Sequence, residues 1–144
     1  MKPGIDQHLM ALTGVLATKI APALPADSYA VGEVKMAAAL LILLTQEVDR
    51  RADTLWRANR DMRALFQYAL QHPVPDDLRA RLSTDAATED TSLRISALEA
   101  SHAALSQTLI ALHAAVEDTG TDWAAAINAR IWDLLERGAE DRML

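Results

Sequence analysis

From Tyr29 to His72 the chain contains no proline and a single glycine, Gly32. Apolar or small residues recur along this stretch in alternating steps of four and three: Val34, Ala38, Leu41, Thr45, Val48, Ala52, Leu55, Asn59, Met62, Phe66 and Ala69. That spacing draws one seam down a helix that packs lengthwise on other helices. As one helix the stretch would run roughly 60 Å at about 1.5 Å per residue. A rod of that length needs cover along its whole seam, from the rest of the chain or from a second copy. A break near Ala52–Thr54 would be the other solution. No proline or glycine requires one, so the expected helix is continuous.

Composition agrees with helix. Glycine and proline number five each, and hydrophobic residues make up 51% of 144 residues. That fraction argues against global disorder, and the length suits one domain spanning 1–144. A formal net charge of −6 argues against a general nucleic-acid binder. With no cysteine there are no disulfides, thiolate metal sites or cysteine nucleophiles. The longest strongly apolar run, Met36 to Leu44, falls far short of the ~20 residues of a membrane span. Met10 to Ala17 is apolar and follows Lys2, but Asp6, His8 and Lys19 fit an amphipathic first helix better than a signal peptide. The expected location is cytoplasmic.

Asp6 is the expected cap of that first helix, with Leu9, Leu12, Val15, Leu16 and Ile20 on its apolar side. Gly14 inside it suggests close packing. Pro22 and Pro25 end it, and Asp27 or Ser28 caps the long helix. The first half of the long helix, Val34 to Leu44, is apolar nearly all round, a pattern that belongs to a helix buried on most sides. The second half mixes Arg50, Arg51, Arg57, Arg60 and Arg63 with Asp49, Asp53 and Asp61. Glu47–Arg51 and Asp53–Arg57 are favourable pairs at four-residue spacing, and Asp49–Asp53 is a mild repulsion. Pro73 and Pro75 stop the helix. Asp76 to Leu82 suits a short helical turn, and Ser83 to Thr91 a polar loop. A third helix is expected from Thr91 to Glu117, with Ile95, Leu98, Leu105, Leu109, Leu112 and Val116 inward. Gly120 ends it. A last helix carries Trp123, Ile127, Ile131, Leu134 and Leu135 and is expected to stop at Gly138.

Four constellations bear on chemistry. Glu99 and His102, three apart, share a helix face, the spacing used in carboxylate-bridged two-metal sites. Such a site needs a second Glu-x-x-His and two further inward glutamates. The long helix offers only Glu33 and Glu47, so no metal and no cofactor are expected. Arg50, Arg57 and Arg60 form a locally basic set whose forked donors suit phosphate, carboxylate or an acidic surface. The bland alternative is a solvated face laced with ion pairs. Asn59 lies on the seam, where a buried asparagine can fix register or oligomeric state. Trp56, Trp123 and Trp132 suit core or interface anchoring better than a ligand pocket. No serine sits in a nucleophile motif, and there is no phosphate loop or dinucleotide fingerprint.

Lys35-Met-Ala-Ala, followed by Leu41 and Glu47, resembles the long second helix of a family of small bacterial helical proteins of unassigned function. Those proteins recur beside phosphotransferase-like and acyl-CoA dehydrogenase-like proteins. Their typical run is a basic residue, Val-Ala-Ala, then Leu, then Arg-Glu. Lys2-Pro3 and Ala21-Pro22 are also similar to that pattern. This chain departs from it at Ala39, where the family has asparagine, and at Gln46, where it has arginine. The resemblance covers the first third of the chain. It implies an all-helical accessory protein and supplies no catalytic residue.

The expected fold is therefore an all-α, up-and-down bundle of four main helices, one of them long. The expected function is non-enzymatic: a helix-mediated interaction or accessory protein acting as a homodimer. Leu55, Trp56, Asn59, Met62 and Phe66, the distal part of the seam, are the expected interface. The alternatives are an anion-binding module built on Arg50, Arg57 and Arg60, and a metal-dependent enzyme centred on Glu99 and His102.

Overall fold

The computed structural model describes residues 3–143, with the side chains of Asp49 and of residues 141–143 excepted. Lys2 and the Asp49–Asp53 repulsion therefore lie outside what is described. The protein is all-α, with no strand among the described residues. Five α-helices follow in order: α1 Ile5–Val15, α2 Tyr29–Ala69, α3 Asp76–Ala86, α4 Ile95–Glu117 and α5 Asp122–Met143. A π-helical turn, Leu16–Ile20, and a 3-10 turn, Ala21–Ala23, extend α1 up to the proline-rich connection. No helix is long and apolar enough to cross a membrane.

Local signals explain most of the boundaries, and several differ from the sequence reading. Helix α1 starts one residue before Asp6, with Gly4 in the capping position and its amide donating to Gln7 Oε1 at 3.3 Å. A methyl group placed on Gly14 would meet nothing within 4 Å, so this glycine marks no close approach. Helix α2 runs unbroken to Ala69. Its end is held from outside: Arg79 Nη1 donates to the carbonyl of Leu70 at 2.9 Å, and Nη2 to that of His72. These carbonyls lie where a helix end leaves acceptors unsatisfied. Asp76–Ala86 is a full helix, longer than the expected turn. Leu78 and Leu82, four apart, are buried on one side of it, and Asp76 and Asp77 sit in its first turn where the helix dipole favours negative charge. Gly120 takes a positive φ of 62° between α4 and α5, which a side chain rarely tolerates. Gly138 stops nothing; α5 continues through it.

The chain divides into two compact units, residues 1–51 and 52–144, with the boundary inside α2. The second unit has a conventional core. Met62, Leu65, Phe66 and Ala69 of α2 pack with Leu78 and Leu82 of α3, Leu105, Leu109, Leu112 and Val116 of α4, and Ala124, Ile127 and Ile131 of α5. Phe66, Leu82, Leu112, Ile127 and Ile131 are completely buried. The distal stripe expected to meet a second copy is thus taken up by the chain's own helices. Leu55, Asn59, Met62 and Phe66 are all at most 5% exposed, and only Trp56 keeps a substantial free face.

The first unit is different. Among its described residues only Thr13 and Ala38 are buried. The half-buried residues Leu9 and Leu16 flank Thr13, and Val34, Leu41, Thr45 and Val48 continue the stripe of Ala38. Each helix in this unit covers one stripe. Most of the large apolar residues outside these stripes are bare, contrary to the expectation that Val34–Leu44 is buried on most sides. Met36, Leu40 and Leu43 are 67%, 53% and 60% exposed.

Candidate functional site

The most constrained polar cluster lies in the second unit and centres on Asp90, in the loop between α3 and α4. Arg63 reaches it from α2 in a two-pronged pair: Nη1 to Oδ2 and Nη2 to Oδ1, both 2.9 Å. The same guanidinium donates to Thr88 Oγ1 at 3.0 Å and Ser101 Oγ at 2.9 Å. The side chains of Arg63 and Asp90 are only 11% and 3% exposed. Forked geometry and burial make this a strong charge-assisted contact. It holds the Asp90 carboxyl at a pKa of about 2: the Arg63 hydrogen bond lowers it, burial opposes, and Ser101 and Asn59 lower it further.

Asn59 completes the cluster. Its amide nitrogen donates to the Leu98 carbonyl at 3.1 Å and faces the Asp90 oxygens at 3.3 and 3.4 Å. Three acceptors on one side orient the amide, so its oxygen points toward His102 Nδ1, 3.0 Å away. That oxygen can only accept, which places the histidine proton on Nδ1. The seam asparagine therefore fixes register within one chain, between α2, α4 and the Asp90 loop. A second polar relay ties α3 to α4: Arg81 Nε donates to Thr108 Oγ1 at 2.7 Å, and that buried hydroxyl donates to Asp85 Oδ2.

The arginines singled out by the sequence divide between the units, Arg50 in the first and Arg57 and Arg60 in the second. Arg57 pairs with Asp53 at 2.7 Å, both more than half exposed. Arg60 pairs with Asp61 at 3.0 Å and lies 5.4 Å from the Trp56 ring centroid. Arg50 is exposed in the first unit. Arg60 and Trp56 do line a groove of about 600 Å³ with Gln67 and Glu89, and Arg63 and Asp90 form its wall. Its only other cation is the Arg63 already spent on Asp90, and Glu89 adds a negative charge.

His102 is directed at Asn59, and among the described residues no group of three or more histidine or acidic side chains is placed to hold a metal. Trp123 stacks on His72 with ring centroids 6.2 Å apart, and Trp132, half exposed, meets His113 edge-on at 5.7 Å. The aromatic residues thus border packing and histidine contacts, as anchors do.

What the sequence reading missed is Asp90 and the first unit's bare surface. Nothing local in the sequence distinguishes Asp90 from its acidic neighbours Asp85 and Glu89. The bare surface has a signal, the all-round apolar run from Val34 to Leu44, which predicts burial on most sides without stating what supplies the cover. Eleven of the sixteen large apolar side chains exposed among the described residues lie between Ile5 and Leu44. No known protein family, curated protein or solved structure matches this chain.

Proposed function

We propose that this is a non-enzymatic, helix-mediated interaction or accessory protein whose docking element is the first unit. The observation that carries this reading is the contrast between the two halves. Residues 52–143 enclose a core and use their converging polar groups, Arg63, Asp90, Asn59 and Thr108, to join helices. Residues 5–48 bury almost nothing and present apolar side chains on more than one side. Monomers seldom expose a contiguous apolar patch beyond a few hundred Å², and larger ones mark interaction surfaces. The second half acts as a folded body and the first as the part that engages a protein partner.

In-cell photo-crosslinking tests this. A photoreactive residue at Leu40 should give discrete protein adducts, and the same residue at exposed Gln67 of the second unit should give none. Equal labelling from both positions, or no adduct from Leu40, would refute the assignment of the docking element.

A further inference from the structure

We infer that the occupant of the bare face of α2 is the same face of a second copy, with the two α2 helices running antiparallel. This rests on the reading of the first unit as a docking element. Met36, Leu40 and Leu43, at spacings of four and three, form a stripe on the side of α2 away from the covered Ala38–Leu41 stripe, with Leu44 between the two. The stripe is bounded by Glu33 at one end and by Glu47 and Arg51, paired at 3.7 Å, at the other. An apolar centre with a charged rim is the anatomy of a protein interface.

Charge selects the second copy and the direction. The second unit carries the entire net charge of −6, because residues 1–51 hold five basic and five acidic residues. Two first units can therefore meet without net repulsion. If Leu40 of one helix lies across from Leu43 of the other, antiparallel order sets Glu33 opposite Arg50 and beside Arg51 of the second copy. Parallel order would set Glu33 against Glu33 and Glu47 against Glu47. A two-fold axis between Leu40 and Leu43 satisfies both ends at once, as self-complementary interfaces do. The apolar centre that each copy would bury is Met36, Leu40, Leu43 and Leu44, which are 49–67% exposed in the single chain.

The native chain has no cysteine, so single introduced thiols report unambiguously. Sedimentation equilibrium of the full chain should give twice 15.7 kDa. With a short bis-maleimide, Leu43→Cys should crosslink to itself. Glu33→Cys should crosslink to Arg50→Cys when the two variants are mixed, and not to itself. Leu40→Glu with Leu43→Glu should weaken association at least about a hundredfold. Unchanged far-ultraviolet helicity would show that this variant is folded. A single species at 15.7 kDa at all concentrations, or Glu33→Cys self-crosslinking, overturns the inference. So does a Leu40 photo-adduct of a different protein in cells, which would leave the docking element itself standing.

Discussion

Replacing Arg63 by methionine keeps an unbranched apolar stem and removes the guanidinium with its charge and donors. Asp90, 3% exposed, would lose both prongs of its pair and keep the weaker contacts from Ser101 and from Asn59, the latter at 3.3 and 3.4 Å. Thr88 and Ser101 would each lose a donor. A buried ion that loses its partner typically costs 3–5 kcal/mol. The depressed Asp90 pKa gives an independent gauge: a fall from 3.8 to about 2 corresponds to about 2 kcal/mol of preference for the ionised form in the folded state. We therefore expect Arg63→Met to cost about 3 kcal/mol and Asp90→Asn about 2 kcal/mol. Urea unfolding followed by tryptophan fluorescence is the assay, because Trp56, Trp123 and Trp132 all lie in the second unit. The pH dependence has a defined sign. A carboxylate whose folded pKa is lowered contributes its stabilisation above its unfolded pKa and loses it as the pH falls through the folded value. The gap between wild type and Asp90→Asn should be full above about pH 4 and close as the pH falls toward 2. An Arg63→Met loss below about 0.5 kcal/mol would refute the argument that this pair is buried and structural, since that is the scale of an ordinary surface substitution.

Other substitutions separate the same contributions. Arg57→Ala should change stability by less than about 0.5 kcal/mol in the same urea assay, because Arg57 and Asp53 are both more than half exposed. Leu82→Ala, at a completely buried position on α3, should cost about 2–5 kcal/mol; a negligible loss would mean that α3 is not part of the core. Gly14→Ala should raise the helicity of the first unit and stabilise it by about 0.5–1 kcal/mol, since the added methyl meets no neighbour. A destabilised Gly14→Ala measured by circular dichroism would show that a partner packs against this glycine.

Local chemistry in the sequence determined the helices. The seam from Val34 to Ala69 is buried or half-buried at every position, as its spacing requires; Pro25, Pro73, Pro75 and Gly120 fall between helices, and Pro22 sits in the 3-10 turn that closes the first. These features act within a few residues, through backbone dihedrals and helical period. Helix α3 was only half legible, because two leucines four apart do not reveal whether a core waits for them. Which arginine matters was not legible at all. Arg57, Arg60 and Arg63 share one helix, and only the fold carries Asp90, 27 residues further on, to Arg63. The same limit governs the long seam. Periodicity states that a stripe wants cover, because burial of apolar surface is favourable whatever supplies it. It carries no information on whether the cover comes from the same chain. Tertiary structure decided that point: α3, α4 and α5 close over Met62 and Phe66, while Met36, Leu40 and Leu43 stay bare.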